Sequence, residues 1–247
     1  IEKKCEDMNI ETETKIFEGQ RLPKRPLGNV ECGRTNLQIV FGELMDYDAK
    51  PFSVNLRPHV TENLLICGHD DLIKKSLLDS VIISASSNEY CEEIIYVGDD
   101  NEMIDTTLIS NVVCLWSMKD FCEKYKENPF DKKRVLIIDN CNLTKQIGYS
   151  PTMYVTQKEE ATFFKNYLDD ANEKGSHIIA FYEGTNRIKS CGVPKDEFNY
   201  RIGYSVNVEE KNFLLGAGLQ SNALVKKNRA FFIDNLELKA WFRPYSV

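Results

Sequence analysis

From residue 36 onward, apolar positions fall into short runs that alternate with stretches of helical spacing. Leu37, Ile39 and Phe41 alternate with Gln38, Val40 and Gly42; after a turn at residues 46–51, Phe52, Val54 and Leu56 alternate again. This period of two predicts a β-hairpin. The runs Leu64–Cys67, Ile94–Val97, Val112–Trp116, Val135–Ile138 and Ile178–Phe181 are continuous and short. Runs of that length predict strands, buried in every case but Val112–Trp116, which reads simply as another strand; the four aliphatics Val135–Ile138 mark one covered on both faces, as in a parallel sheet. Between them, Leu72, Ile73, Ser76, Leu77, Ser80 and Val81 recur at helical spacing and predict a helix over residues 71–84. Phe121, Cys122 and Tyr125 predict a second helix over 118–127, with Ser117 as its cap. Phe163, Phe164, Tyr167, Leu168 and Ala171 predict a third over 158–174, closed by Gly175. Residues 144–156 read as a polar loop, 200–206 as a strand and 209–215 as a short helix closed by Gly216 and Gly218. Residues 229–243 read as a hairpin turning at Asp234-Asn235.

Strands alternating with helices give a mostly parallel sheet covered on both faces, with the two hairpins adding antiparallel strands at its edge. Residues 1–35 are polar and carry Gly19, Pro23, Pro26, Gly28 and Gly33; they read as a linker or wrapping arm ahead of one α/β domain over 36–247. The chain opens on Ile1 rather than methionine, which raises the expectation that it is one domain of a longer polypeptide.

Candidate chemistry concentrates where the first of the continuous runs ends. Gly68 closes the apolar run, a short polar turn follows, and Lys74 lies six residues on, the separation of glycine and lysine in a phosphate-binding loop, Gly-x-x-x-x-Gly-Lys-Ser/Thr. In such a loop the glycines let backbone amides wrap the phosphates, the lysine reaches the outer phosphates and the hydroxyl holds magnesium. Here Ile73 stands at the second glycine and Lys75 at the hydroxyl. Asp70 and Asp71 suit a helix N-terminus but put negative charge where phosphates would lie. Lys75-Ser76 reproduces the Lys-Ser pair in a register shifted by one. Lys74 reads otherwise as a solvated helix lysine, replaceable at little cost in stability. Asp139, at the end of the Val135–Ile138 run, reads equally as a magnesium ligand or a plain strand-end acid. His59 and His69 read as solvated loop residues.

Charge and cysteine content narrow the picture. A formal net charge of −7 argues against a domain that grips nucleic acid unaided. The eight cysteines include no C-x-x-C pair, so reduced and mostly buried thiols are expected rather than a metal site. No apolar run reaches the ~18 residues of a membrane span, and no signal peptide is visible. A cytoplasmic domain without membrane contact of its own is expected.

Five joined features resemble the FtsK/SpoIIIE and HerA class of P-loop ATPases over residues 38–245. They are the hairpin strand ahead of Asn63-Leu64-Leu65-Ile66-Cys67-Gly68; Leu136-Ile137-Ile138-Asp139 at the Walker B place; Lys174-Gly175-Ser176-His177-Ile178-Ile179, like the Gly-x-His-hydrophobic strand; Phe198-Asn199-Tyr200-Arg201-Ile202, like the "RI" strand; and the Trp241-Phe242-Arg243-Pro244-Tyr245 ending. The resemblance implies a RecA-like three-layer α/β sandwich with a mostly parallel sheet and added antiparallel edge strands. It implies hexameric motors that move DNA, or type VII secretion ATPases with tandem domains whose last members are often degenerate. Partners would be other ATPase domains of the same chain or of an oligomer, with secreted protein or DNA handled through a parent that is itself anchored to the membrane. The departures point to decayed chemistry: Ile73 for glycine, Lys75 for the hydroxyl, Asn140 for the catalytic glutamate, and Tyr182 at the sensor position commonly held by glutamine. Gly68, Lys74, Lys75, Ser76, Asp139, Asn140 and Tyr182 are therefore expected to mark a vestigial nucleotide site, with no catalytic residues and no resident metal, and with ATP and magnesium as weak candidate ligands. The alternatives are a live ATPase using the shifted Lys75-Ser76 register and a plain protein-binding module.

Overall fold

A computed structural model describes residues 22–25, 35–46, 48–58, 61–98, 111–151, 158–216 and 225–246. The expected arm lies outside these residues apart from 35 and 22–25, where Lys24 bridges Ser246. His59 and Gly218 also lie outside them.

The runs read as strands are strands. β1 (Leu37–Leu44) and β2 (Pro51–Leu56) form the first hairpin, with Leu37, Ile39, Phe41, Phe52, Val54 and Leu56 all buried. β3 (Leu64–Gly68), β4 (Glu93–Gly98), β5 (Val112–Leu115), β6 (Arg134–Asp139), β7 (His177–Glu183) and β8 (Tyr200–Tyr204) are the parallel strands; β9 (Ala230–Asp234) and β10 (Glu237–Pro244) form the second hairpin. They make one ten-stranded sheet in the order β2-β1-β10-β9-β8-β3-β7-β6-β4-β5. β3 sits between β8 and β7, parallel to both, and is buried along its whole length. The four strands from β2 to β9 are antiparallel and join the parallel part through the β8–β9 pair.

The helix α1 (Asp71–Ser86) covers one face together with the inner side of the first hairpin, burying Ile73, Leu77, Leu78 and Val81 against Ile66, Ile137 and Ile179. The other face carries α2 (Met118–Tyr125), α3 (Leu143–Ile147), α4 (Glu159–Asp170), α5 (Gly184–Ser190) and α6 (Val208–Leu215). The result is a three-layer α/β sandwich in which parallel pairs run through the centre and antiparallel strands occupy one side.

Local chemistry corrects several element boundaries, among them the third predicted helix, which ends at Asp170 rather than 174. Residues 143–147 are helical rather than loop, because Asn142 caps the Lys145 amide and Gly148, at φ +73°, ends the turn. Gly184–Ser190 is an unforeseen helix that follows β7 without a spacer. The second hairpin turns one residue later than expected, at Asn235-Leu236. Trp116 falls outside β5 and is 63% exposed. The Ser117 cap forms as predicted, its hydroxyl accepting from the Asp120 amide at 3.2 Å.

At the N-terminal edge of the parallel strands a polar network is sealed from solvent. The Asn63 Oδ1 accepts from the Ile178 amide and from Asn172 Nδ2, both at 3.0 Å. Asn172 Oδ1 accepts from the Glu62 amide at 3.1 Å and lies 3.2 Å from His177 Nδ1. Burial pushes the His177 imidazole down to about 4, so it is neutral at ordinary pH.

Candidate functional site

In a sheet of this kind, ligands bind beyond the carboxyl ends of the parallel strands. Gly68, Gly98, Asp139 and Glu183 line up there, since Gly68 pairs with Glu183, Asp139 with Phe181, and Gly98 with Asp139.

Only His69 and Asp70 separate β3 from α1. The helix therefore begins three residues ahead of Lys74: the Lys74 amide donates the first backbone bond, to the Asp70 carbonyl at 2.8 Å, and the Ile73 amide donates to the Asp70 side chain at 3.1 Å. Ile73 is 1% exposed and packs in the core. Two amides that a phosphate loop would turn toward its ligand are thus used by the helix and its cap.

Lys74 is not a solvated lysine. Its ammonium lies 2.7 Å from Asp139 Oδ1, and the two side chains are 14% and 4% exposed. The remaining Asp139 oxygen, Oδ2, accepts from the Tyr96 hydroxyl at 2.8 Å. The sequence could not show this pairing, because 65 residues separate the partners and neither carries a local signal for the other. The ammonium that would meet a phosphate and the carboxylate that would meet magnesium are held by each other.

The other selected residues scatter. Lys75 points to solvent, and its charge lowers the Asp79 carboxyl, opposing a larger upward push from burial. Ser76 is buried, with its hydroxyl donating to the Leu72 carbonyl at 2.9 Å inside the helix. The shifted register therefore has neither residue facing the crevice. Tyr182 lies on the opposite face of the sheet from the Lys74–Asp139 pair and donates to the Cys141 carbonyl at 2.8 Å. Burial first, then the neighbouring Cys141, Cys191 and Asp139, holds its phenol well above its ordinary range, so it remains a neutral donor. Asn140 turns the chain off β6 at φ +51°, a conformation asparagine tolerates. Its side-chain oxygen accepts from the Glu183 amide at 2.9 Å, and its carbonyl from Arg187 Nη2 at 3.2 Å.

Gly68 is explained by packing. A Cβ at this position would stand 2.1 Å from the Tyr204 carbonyl oxygen and 2.5 Å from its ring. The Tyr204 phenol is held well above its ordinary range, by burial first and then by Cys67, Asp139, Asp71 and Asp70.

One residue at this edge escaped the sequence reading. Glu210 Oε1 lies 2.9 Å from His69 Nε2 and accepts from the Thr185 amide at 3.2 Å, while Oε2 accepts from the Asn207 amide at 3.1 Å. Burial opposes ionisation of Glu210, but the bonds from His69, Asn207 and Thr185 outweigh it and hold the carboxyl below its ordinary range. This clamp ties the β3–α1 turn to the starts of α5 and α6. Gly184, at φ +69°, leaves room for the imidazole, since a Cβ there would stand 2.4 Å from His69 Cε1. The legible signal was Asn207 with Glu210 three residues on, the spacing of a capping box, which forms here.

A cleft of about 540 Å³ lies elsewhere, on the five-helix face, lined among others by Thr144, Pro151, Ile188, Val193, Lys195 and Phe213. None of the seven selected residues lines it. The described cysteines are free thiols, and all but Cys114 are buried. Among the described residues, no His, Cys, Asp and Glu cluster is arranged to hold a metal, and no helix is long and apolar enough to cross a membrane.

The fold is that of RecA-like P-loop ATPase domains. Three solved structures carry the comparison. EccC of Thermomonospora curvata (ATPases 2 and 3, in complex with a signal sequence peptide) is 13% identical, with a TM-score of 0.62 over 92% of this chain and 43% of that one. EssC of Geobacillus thermodenitrificans (ATPases 2 and 3) is 12% identical, with a TM-score of 0.59 over 91% and 46%. B204, the DNA-packaging ATPase of Sulfolobus turreted icosahedral virus, is 14% identical, with a TM-score of 0.53 over 74% and 98%. No protein-family model and no curated protein matches the sequence. The chain spans less than half the length of the EccC and EssC chains and nearly all of B204, so it corresponds to one ATPase-fold unit.

Proposed function

We propose that residues 36–247 form one ATPase-fold module of a multi-ATPase motor, in which the nucleotide site has been replaced by an internal ion pair and no hydrolysis takes place. The observation that carries this is the Lys74–Asp139 contact at 2.7 Å, largely shielded from water. The residues at the strand ends do not fit a magnesium triphosphate. The connection from β3 to α1 is two residues long, its helix cap is Asp70, and Asp71 follows in the first turn. A triphosphate would meet two carboxylates and would have to break the Lys74–Asp139 pair before gaining a cation. Losing one preorganised catalytic group typically lowers a rate ~10²–10³-fold, and here the hydroxyl and catalytic-acid positions are both filled by other residues.

The module serves as a packing partner for catalytic ATPase domains in the same chain or oligomer, and through them takes part in moving a protein or nucleic-acid substrate. The likeness to EccC and EssC, which carry more than one ATPase each, supports the multidomain setting. The net charge of −7 favours a protein rather than DNA as what this domain touches directly. Titration calorimetry with magnesium and ATP tests the core of the proposal. No heat and no thermal shift at millimolar ATP are expected; micromolar binding would show that Lys74 leaves Asp139 to take phosphate and would refute the reading.

A further inference from the structure

The hairpin β9–β10 turns through Asn235 and Leu236, both with positive φ, +48° and +68°. Two-residue turns of this hand match the twist of the flanking strands, but they favour glycine at the second position. Leucine there is strained, because its Cβ crowds the carbonyl. Burial does not explain the choice. Leu236 is 47% exposed, and a Cβ added at Gly216 would stand 3.3 Å from Leu236 Cδ2, so the side chain lies beside the end of α6. Strain of this kind, kept at an exposed tip, points to use of the side chain by something outside the domain.

Beside this tip the sheet has a notch. β1 leaves β10 after the Leu44–Phe242 pair, and its last bond is from the Met45 amide to the Trp241 carbonyl at 2.9 Å. β10 begins earlier, at Glu237, so its first four residues run past the end of β1, with a register shift at Lys239. The notch holds about 300 Å³ and is lined by Leu44, Met45, Leu238, Ala240 and Trp241, with Asp46 and Lys239 at its rim. Leu238 is 37% exposed, so this one hairpin contributes two exposed large apolar side chains. The surface lies at the N-terminal edge of the parallel strands, since the Asn235 amide bonds the Asn199 carbonyl just ahead of β8. It is at the opposite end of the sheet from Asp139, so its use is independent of the crevice.

We infer that Leu236, Leu238 and the notch beside them are the docking surface for an adjoining ATPase-fold domain, which places an apolar side chain in the notch against Met45 and Trp241. This rests on the multi-ATPase reading above. The occupant is chosen by likeness to EccC and EssC, which are more than twice as long as the part this chain matches and carry ATPases 2 and 3 in one chain, so the matched unit there has a second ATPase as its covalent neighbour. The rim carries Asp46 beside the Lys239–Glu237 pair, a net negative balance that suits a protein surface rather than a polyanion.

The test uses the protein expressed from its full reading frame and an amine-reactive cross-linker read by mass spectrometry. Lys239, 46% exposed, is the reporter. The expected result is a link from Lys239 to a lysine of another ATPase-fold domain, reduced at least tenfold in Leu236→Gly and in Leu238→Ser. Hydrogen-exchange protection of β3, β6 and β7 should be unchanged in both variants. Leu236→Gly relieves the strained turn, so loss of the link in that variant cannot be ascribed to misfolding. Links confined to the reporter's own domain or to a protein without this fold, or a link that survives both substitutions, would overturn the assignment. A full reading frame with no second ATPase-fold domain, in a protein that sediments as a monomer, would instead overturn the multi-ATPase reading.

Discussion

Replacing Lys74 with methionine keeps the apolar stem and removes the charge that faces Asp139. At 2.7 Å, and with the effective dielectric of ~20 that describes protein sites, the direct attraction is roughly 6 kcal/mol before desolvation is counted. Breaking a buried pair by removing one partner costs ~3–5 kcal/mol, because the other charge is left buried. Asp139 is 4% exposed but keeps the hydrogen bond from Tyr96, and it sits at a strand end where water can reach it after a small shift. We therefore expect Lys74→Met to destabilise the domain by about 2–4 kcal/mol. The reverse change, Asp139→Asn, should cost less, about 1–2 kcal/mol, because Lys74 lies in the first turn of α1 and can extend its ammonium to solvent. The double variant should recover much of the loss, giving a coupling energy above about 1.5 kcal/mol. Urea unfolding followed by circular dichroism measures all four proteins, with the slope expected to stay constant. A loss below about 1 kcal/mol for Lys74→Met, or no coupling in the cycle, would show that the lysine is free in solution and therefore available to a phosphate.

Three further outcomes follow from the packing. His177 is neutral in the fold, pushed down to about 4, while an unfolded histidine titrates near 6.5; the unfolded state therefore takes up the proton first, and stability falls as pH drops from about 6.5 toward 4. This group alone accounts for about 2 kcal/mol lost by pH 5, seen as a steeper pH dependence of the urea midpoint in the wild type than in His177→Gln; parallel slopes would show that the imidazole is protonated in place. Gly68→Ala should destabilise by about 2–3 kcal/mol, since its Cβ would meet the Tyr204 backbone at 2.1 Å; thermal unfolding within a degree of wild type would show that β8 does not approach so closely. Ile137→Asp should prevent cooperative folding, because it places a charge in a fully buried central strand, and a soluble variant with a sharp melt would contradict the sheet order.

Most of the fold was legible because the apolar runs are short, continuous and separated by segments of helical period; a strand covered on both sides leaves few other patterns. β3, β4, β6 and β7 fall where the runs fall, and the Ser117 cap forms as its position implies. The misses were local. The helix at 184–190 carries Gly184, five polar side chains and Ile188 alone, so it has no apolar stripe to announce it. Its position comes from β7 ending against the Asn140 side chain and the Glu210 clamp. The site was legible only as a set of positions. Gly68 and Lys74 stand at phosphate-loop spacing in the sequence, yet Gly68 is small because Tyr204 of β8 passes over it, and Lys74 is spent on Asp139.

The sequence by itself determined the alternation of strands and helices, the antiparallel hairpins and the departures from a nucleotide-binding motif, because these depend on residues within a few positions of one another. The tertiary structure alone decided which charges meet. Lys74 and Asp139 come together because α1 lies across the face of the sheet on which β6 presents its last side chain. His69 and Glu210 meet because the start of α6 is brought over the β3–α1 turn. Such pairings join segments 65 and 141 residues apart, and their energies depend on exclusion from water, which no local pattern of residues records.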